Sequence, residues 1–251
     1  MSRSPTTTGQ SQDAVVSAYN READPFHEAR NNWTYMTSKQ LTDFALLDAA
    51  DVDDARVLNV GCFHPIDEIM YAHRVRSWVA TDLGARTVAV AEEVAKASLS
   101  ADLFSRLEFR VADGTDLPFR DGEFDVAVSM STIDHVVDHE ARQQFVAEMA
   151  RVTRPGGQVV ITVPNRWSRG YARRPSTSHE WFEHCFSPRE LKRMIRTAGL
   201  EIVQFRSTSE IPVVAPRLFF PKRSRRPLLE AWNAIARNLG VRMGVLAEKP
   251  L

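Results

Sequence analysis

Three short apolar runs of this chain end on residues that are suited to holding a nucleoside. Gly61 follows the first run, Asp82 ends the second, and Asp113 and Gly114 end the third. A glycine lets a ligand approach the backbone closely. An acidic residue about 20 positions further on can accept both hydroxyls of a ribose. Each signal is weak alone, because an aspartate at a strand end can equally cap the next helix, but their order predicts a nucleoside site.

One histidine follows the fourth apolar run closely enough to act at the same place. His135 lies shortly after Met130, where that run ends. Its imidazole can take a proton from a hydroxyl group near neutral pH. The alternative interpretation is a residue at the start of the next helix that orients the loop, and the sequence leaves both open.

Short apolar runs alternate with helix-length stretches along the chain. Such runs are typical of strands that are buried on both faces of a sheet. The predicted strands are 56–62, 77–83, 107–113, 124–130, 157–163, 200–205 and 241–249. Strands that alternate with helices predict a doubly wound, mostly parallel α/β sheet of seven strands, which binds ligands beyond the carboxyl ends of the strands.

Capping residues mark the starts of three predicted helices. The caps are Thr37 with Gln40, Asp138, and Ser187 with Glu190. A fourth helix, over 85–97, is predicted from its alanine and glutamate content. The sequence Pro155-Gly156-Gly157 is predicted to stop the helix after Asp138 and turn the chain.

Length and composition set the broad class of protein. The chain has 251 residues, of which 43% are apolar, and this suits a single α/β domain over 13–251 behind a disordered tail, 1–12. Basic and acidic residues number 32 each, so no general attraction to nucleic acid is expected. Two cysteines, Cys62 and Cys185, are too few for a disulfide framework and predict a cytoplasmic protein. No apolar run is long enough to span a bilayer.

Between Val57 and Phe205 the chain resembles the class I S-adenosylmethionine-dependent methyltransferases, in the branch that acts on small molecules and on quinone-like or lipid-like acceptors. The matching motifs are VLNVGC, VATD, VADGTDLPF, FDVAVSMSTIDHVVD, EMARVTRPGGQVVITVPN and FSPRELKRMIRTAGLEIV. The resemblance implies a Rossmann-like methyltransferase fold with an N-terminal helical lid, 13–50, and insertions near 165–186 and 207–240. It also implies S-adenosylmethionine as the cofactor.

The resemblance assigns cofactor contacts to residues at the ends of the first four strands. It implies that Asp82 holds the ribose, that Asp113 and Gly114 face the adenine, and that Gly61, Ser129 and Met130 border the methionine part. The full predicted set is Asn59, Gly61, Cys62, Asp82, Leu83, Asp113, Gly114, Ser129 and Met130.

The loop after the first strand departs from the family pattern. Asn59 stands where an acidic residue is usual, and Phe63 and Pro65 replace glycines. Three explanations are open: the loop takes another path, the cofactor binds weakly, or the chain is a degenerate member. Because the other motifs are intact, we expect a different loop path.

Aromatic and imidazole side chains in two segments are predicted to contact the acceptor. They are Tyr19, Tyr35, Trp167, His179 and His184, although ordinary packing explains the N-terminal aromatics equally well. No metal site is predicted, because His179, His184 and Cys185 lack a further ligand.

Two basic clusters lie outside the motifs. The first is Arg166, Arg169, Arg173 and Arg174, and the second is Arg217, Lys222, Arg223, Arg225 and Arg226. Solvated faces are the default interpretation, while apolar neighbours of the second cluster favour peripheral contact with an anionic membrane or a cover over the acceptor.

The expected function is methyl transfer to a small organic acceptor, with oxygen as the expected atom and His135 as the candidate base. The alternative is a degenerate, non-catalytic protein of the same fold. Nucleic acid is not expected as a partner, and the sequence does not predict the oligomeric state.

Overall fold

A seven-stranded sheet forms the centre of the fold in the computed structural model, which describes residues 11–14, 16–17, 39, 41–168, 183–208 and 242–251. The strands are β1 (Arg56–Val60), β2 (Ser77–Asp82), β3 (Leu107–Val111), β4 (Phe124–Met130), β5 (Thr153–Pro164), β6 (Glu201–Thr208) and β7 (Arg242–Glu248). Each predicted strand is present, with ends that differ by a few residues.

The strand order reverses at β1. From edge to edge the order is β3-β2-β1-β4-β5-β7-β6. The strands from β3 to β5 pair in parallel, and β7 is antiparallel to both β5 and β6. The chain therefore builds the sheet outward from β1 on one side and then continues on the other, which confirms the predicted doubly wound sheet.

Helices cover both faces of this sheet. They are α1 (Asp43–Leu47), α2 (Ile66–Tyr71), α3 (Ala85–Ser98), α4 (Ala101–Phe104), α5 (His139–Val152) and α6 (Pro188–Thr197), with a 3-10 turn at Ile133–His135. No helix within the described ranges is long and apolar enough to cross a membrane.

Two of the predicted caps begin helices as expected. The Asp138 carboxylate accepts a hydrogen bond from the Ala141 amide, 2.9 Å away, at the start of α5. At α6, the Ser187 hydroxyl accepts from the Glu190 amide, and the Glu190 carboxylate accepts from the Ser187 amide. The predicted cap at Thr37 and Gln40 lies outside the described residues.

One predicted strand starts earlier than expected. The helix α5 ends at Val152 and β5 starts at Thr153, so Pro155, Gly156 and Gly157 lie within the bounds of β5. The strand begins early because Thr153 pairs with Phe124 of β4, and a register shift separates this pair from the regular ladder. From Phe124 to Val126 of β4 the partner changes from Thr153 to Gln158 of β5, so the Pro-Gly-Gly sequence bulges out of the ladder, with Gly156 at a φ of +69°.

Apolar side chains form one core on each face of the sheet. The largest buried side chain of one core is Trp78, on the face that α1, α2 and α3 cover. Phe124 belongs to the other core, under α5 and α6. Because both faces of the parallel strands are covered, ligands can reach the sheet only at its edges and strand ends.

Candidate cofactor site

The loop after β1 is tied directly to the end of β2. The amides of Gly61 and Cys62 both donate to the Thr81 carbonyl, at 2.8 and 2.9 Å. Val60 is paired with Thr81 in the parallel ladder, so the two strands end side by side. The predicted cofactor residues that follow β1 and β2 therefore lie at one place, the carboxyl edge of the sheet.

Asp82 lies between two backbone donors at this edge. One carboxylate oxygen accepts from the Gly84 amide at 3.0 Å, and the other accepts from the Phe63 amide at 3.2 Å. Burial raises the pKa of Asp82, and these two amides partly offset that effect. A carboxylate oxygen can accept more than one hydrogen bond, so each oxygen retains capacity for a sugar hydroxyl.

The loop after β3 lies beside Asp82. The Ala112 amide donates to the Asp82 carbonyl at 3.0 Å, which places the exposed Asp113 next along the edge. One Asp113 carboxylate oxygen accepts from both the amide and the hydroxyl of Thr115, at 2.8 and 2.7 Å. These bonds fix the carboxylate of Asp113 before any ligand binds.

Two glycines of the site are required by protein packing. A β-carbon at Gly61 would lie 2.1 Å from the Thr132 side chain, and one at Gly114 would lie 2.2 Å from the Phe145 ring. Gly61 also has a φ of +89°, which favours glycine. From the sequence, these glycines were expected to let a ligand approach the backbone. The structure shows that the side chains of Thr132 and Phe145 occupy the space that a β-carbon would need.

Phe63 adopts a backbone conformation that favours glycine. Its φ is +35°, a region that side chains with a β-carbon rarely occupy. The phenyl ring packs against the His64 ring, with centroids 4.0 Å apart. Burial lowers the pKa of His64 to about 4, as does the nearby Lys39 charge, so His64 is neutral at pH 7. The departure from the family pattern thus places strain at Phe63.

A buried carboxylate lies beside Asn59, where the family pattern has an acidic residue. The Asn59 side-chain amide donates to a Glu68 carboxylate oxygen over 2.6 Å, and both side chains are buried. Burial, together with the charge of Asp67, raises the pKa of Glu68 to about 8. Within the described residues, Asn59 Oδ1 and Glu68 Oε2 have no hydrogen-bond partner. A carboxyl group is therefore present at this point, but it comes from α2.

A network of buried charges connects four parts of the chain on the same face. Lys39 contacts Asp67 at 2.9 Å and Asp43 at 3.2 Å. Arg242, at the start of β7, contacts Asp43 at 3.0 Å and donates to the Ser131 hydroxyl over 3.1 Å. Ser131 follows β4 with a φ of +54°. The network therefore holds the turn after β4 against the segments that lead into α1 and α2.

Four other predicted cofactor residues differ in exposure. Ser129 and Met130 are buried at the end of β4, and Met130 Sδ accepts from the Thr162 hydroxyl at 3.6 Å. Cys62 is buried, and burial raises the pKa of its thiol. Leu83 is exposed. No bound ligand tests these four residues, and their roles remain predictions.

His135 and Asp134 form a pair in the turn that follows β4. His135 Nε2 is 3.2 Å from an oxygen of the buried Asp134 carboxylate. Burial raises the pKa of Asp134, and the His135 charge acts in the opposite direction. The candidate base is therefore held by a carboxylate that the sequence analysis did not identify.

The predicted acceptor residues are only partly described. His184 donates its backbone amide to the Asp134 carbonyl at 2.7 Å, while its Nε2 lies 2.8 Å from Glu190. Trp167 is half exposed after β5. Tyr19, Tyr35 and His179 lie outside the described residues, as do the second basic cluster and most of the first. No cluster of three or more metal-ligating side chains occurs in the described ranges.

Known proteins resemble this chain in sequence and in fold. Residues 58–161 match the family described as a methyltransferase domain. The ubiquinone biosynthesis O-methyltransferase of Rhizobium etli is 26% identical over 214 residues, which are 80% of this chain and 76% of that protein. A Mus musculus protein named "Probable tRNA methyltransferase 9B" is 39% identical over 99 residues, which are 33% of this chain and 22% of that protein.

A solved structure shares the fold over nearly the whole chain. It is described as the "Complex between the Haloferax volcanii Trm112 methyltransferase activator and the putative methyltransferase", with a TM-score of 0.67 at 19% identity. The similarity covers 94% of this chain and 98% of that chain. At this identity the likeness shows the fold alone.

The raised pKa of Glu68 predicts a pH-dependent stability. The folded protein keeps a proton on Glu68 up to about pH 8, whereas the unfolded chain loses it at an ordinary glutamate pKa. The free energy of unfolding should therefore fall as pH rises between these values. In Glu68→Gln the fall should be smaller, as measured by urea unfolding at about pH 6 and pH 9. Glu93→Gln, at an exposed position of α3, is the control. An equal fall in both variants would contradict the assignment.

The backbone strain at Phe63 predicts a difference between two substitutions. Phe63→Gly and Phe63→Ala both remove the ring, but only glycine relieves the positive φ. We expect Phe63→Gly to be more stable than Phe63→Ala by about 1 kcal/mol in urea unfolding. Equal stabilities would mean that the loop relaxes to another conformation in the alanine variant.

Proposed function

Because this chain belongs to the class I S-adenosylmethionine-dependent methyltransferases, we propose that it transfers a methyl group to an oxygen atom of a small organic acceptor. The observation that carries the proposal is Asp82 at the carboxyl edge, with a backbone amide on each oxygen and capacity for two hydroxyls. The preference for oxygen is supported by the Rhizobium etli relative, whose name specifies O-methyl transfer.

The described residues fit the cofactor of this family. Asp82 would hold the ribose, and Asp113 would lie near the adenine with its carboxylate already fixed by Thr115. Asn59 and Glu68 would supply polar groups near the methionine end, since two of their oxygens have no partner in the described part of the chain. When bound, S-adenosylmethionine supplies an electrophilic methyl group on a sulfonium centre. The protein then has to orient the acceptor and exclude water.

His135 would take the proton of the acceptor hydroxyl. A hydroxyl becomes a better nucleophile as it loses its proton, and an imidazole is a suitable base near pH 7. Asp134 lies 3.2 Å from His135 Nε2, so it would orient the ring and stabilise its protonated form. Asp134 is thus a positioning residue. In the alternative interpretation the pair only shapes the loop.

The surroundings of the site support a small acceptor in a covered pocket. Gln12, at the end of the predicted tail, accepts a hydrogen bond from the Val137 amide at 3.3 Å, just beyond His135. This contact joins the residue just before the predicted lid, 13–50, to the segment that follows His135, and we propose that the lid covers that segment. We propose that Tyr19, Tyr35, Trp167, His179 and His184 line the acceptor side. A cytoplasmic location and, at most, peripheral membrane contact remain part of the proposal.

A degenerate, non-catalytic protein is the main alternative. Asn59 and Phe63 are its evidence, but Glu68 provides a carboxyl group beside Asn59, and Phe63 keeps the φ region of a glycine. The tRNA methyltransferase relative matches only a third of this chain. The balanced charge of the chain also disfavours nucleic acid as the acceptor.

Substitution of Asp82 tests the cofactor site. Asp82→Ala should weaken S-adenosylmethionine binding about a hundredfold or more in calorimetry, because two hydrogen bonds to a charged group are lost. Asp102→Ala removes an exposed carboxylate in α4 and should leave binding unchanged. If wild-type protein gives no binding heat and no competition by S-adenosylhomocysteine, the degenerate alternative is favoured.

Substitution of His135 and Asp134 tests the base. His135→Gln should lower the rate of methyl transfer to a phenolic acceptor about a hundredfold to ten-thousandfold. The affinity for S-adenosylhomocysteine should not change. Asp134→Asn should lower the rate less and shift the acidic limb of the rate profile against pH, a shift that a purely structural residue would not cause. Retention of the full rate by His135→Gln would assign this histidine to loop structure.

A further inference from the structure

An open groove of about 590 Å³ lies along α6 on the side of β5. Four arginines line it, Arg166, Arg189, Arg193 and Arg196, together with Ser187 and Glu190. A volume of this size is in the range of small-molecule sites. The groove contains none of the residues assigned above to the cofactor.

The sequence of α6 dictates that three of these arginines share one side. Arg189, Arg193 and Arg196 are spaced as residues on one face of a helix. Leu191, Met194 and Ile195 bury the opposite face in the core. The arginines therefore project away from the protein interior.

Backbone pairing brings the fourth arginine to the same place. Asn165 bridges to Phe186, and the Arg166 amide donates to the Phe186 carbonyl at 2.8 Å. The end of β5 thus lies against the segment that leads into α6. Arg166 follows the carboxyl end of β5, so one end of the groove lies at the carboxyl edge of the sheet.

Four arginines and a single carboxylate, Glu190, line the groove, so it carries an excess of positive charge. Within the described ranges, the four guanidinium groups form no side-chain hydrogen bond or ion pair, unlike those of Arg74, Arg151 and Arg242. The one carboxylate of the lining, Glu190, contacts His184 at 2.8 Å and also caps α6. The amino end of α6 carries a partial positive charge, which adds to the positive charge of the arginines.

We infer that this groove binds a phosphate or diphosphate group carried by the small-molecule acceptor. Guanidinium groups bind such oxyanions through paired hydrogen bonds, and four of them around one concave volume suit a multiply charged group. Glu190 of the lining is 2.8 Å from His184 Nε2, and the His184 amide donates to the carbonyl of Asp134, the neighbour of His135. An anion held here would place the rest of the same molecule near the base. The binding of an anion does not depend on the proposed methyl transfer, but the identification of that anion as part of the acceptor does.

Binding of inorganic pyrophosphate tests the inference directly. Calorimetry on the full chain at low salt should show saturable binding to one site. Arg193→Gln and Arg196→Gln should each weaken it about tenfold, and the double variant should weaken it further. Arg120→Gln, at an exposed position before β4 and at the opposite edge of the sheet, should have no effect. Unchanged thermal unfolding of each variant would exclude loss of fold.

Three further measurements separate the sources of the anion. Binding of an RNA of about 20 nucleotides or of phosphatidylglycerol vesicles, without binding of pyrophosphate, would overturn the inference in favour of a macromolecular surface. Equal pyrophosphate affinity in wild type and the double variant would also overturn it. S-adenosylhomocysteine binding should be the same in all these variants. If it is absent throughout while pyrophosphate still binds, the methyl-transfer proposal fails and the anion site stands.

Discussion

Parallel pairing of β1 with both β2 and β4 is the constraint on which the site depends. It brings the loops that follow β1, β2 and β4 to a single edge of the sheet, although β3 separates β2 from β4 in the sequence. At that edge, the Thr81 carbonyl accepts two amides from the loop after β1, and Asp82 accepts a third. The carboxylate that we assign to the ribose therefore also fixes the loop that would contact the rest of the cofactor.

A buried carboxyl group of α2 stands in for the acidic residue that the family pattern has at position 59. The acid absent from position 59 is matched by Glu68, which reaches the same point from α2. Around it, Lys39 and Arg242 balance Asp43 and Asp67 across segments that are distant in sequence. Groups of this kind are costly to bury singly, so the network holds only while its members stay together. The shape of the crevice is thereby coupled to contacts made outside it.

Local patterns predicted the sheet, the α5 and α6 caps and the position of Asp82, because each depends on neighbouring residues. The patterns failed where contacts between residues distant in sequence determine the structure. The strand β5 starts at Thr153, ahead of the Pro-Gly-Gly sequence, because Thr153 pairs with Phe124 of β4. The Arg242 contact with Asp43 spans 199 positions, and no local spacing predicts it. Asp134 was missed for another reason, since only its burial beside His135 gives it a role.

The two packed glycines carry a consequence for how related sequences can vary. Gly61 lies against Thr132 and Gly114 against Phe145, so each glycine faces a side chain contributed after β4. A larger residue at position 114 demands a smaller partner at position 145, whereas at position 61 the φ of +89° is strained for a larger residue even beside a smaller one. We expect Gly114 and Phe145 to change jointly among homologues, Gly61 to vary little, and a library that randomises either glycine alone to yield few folded proteins.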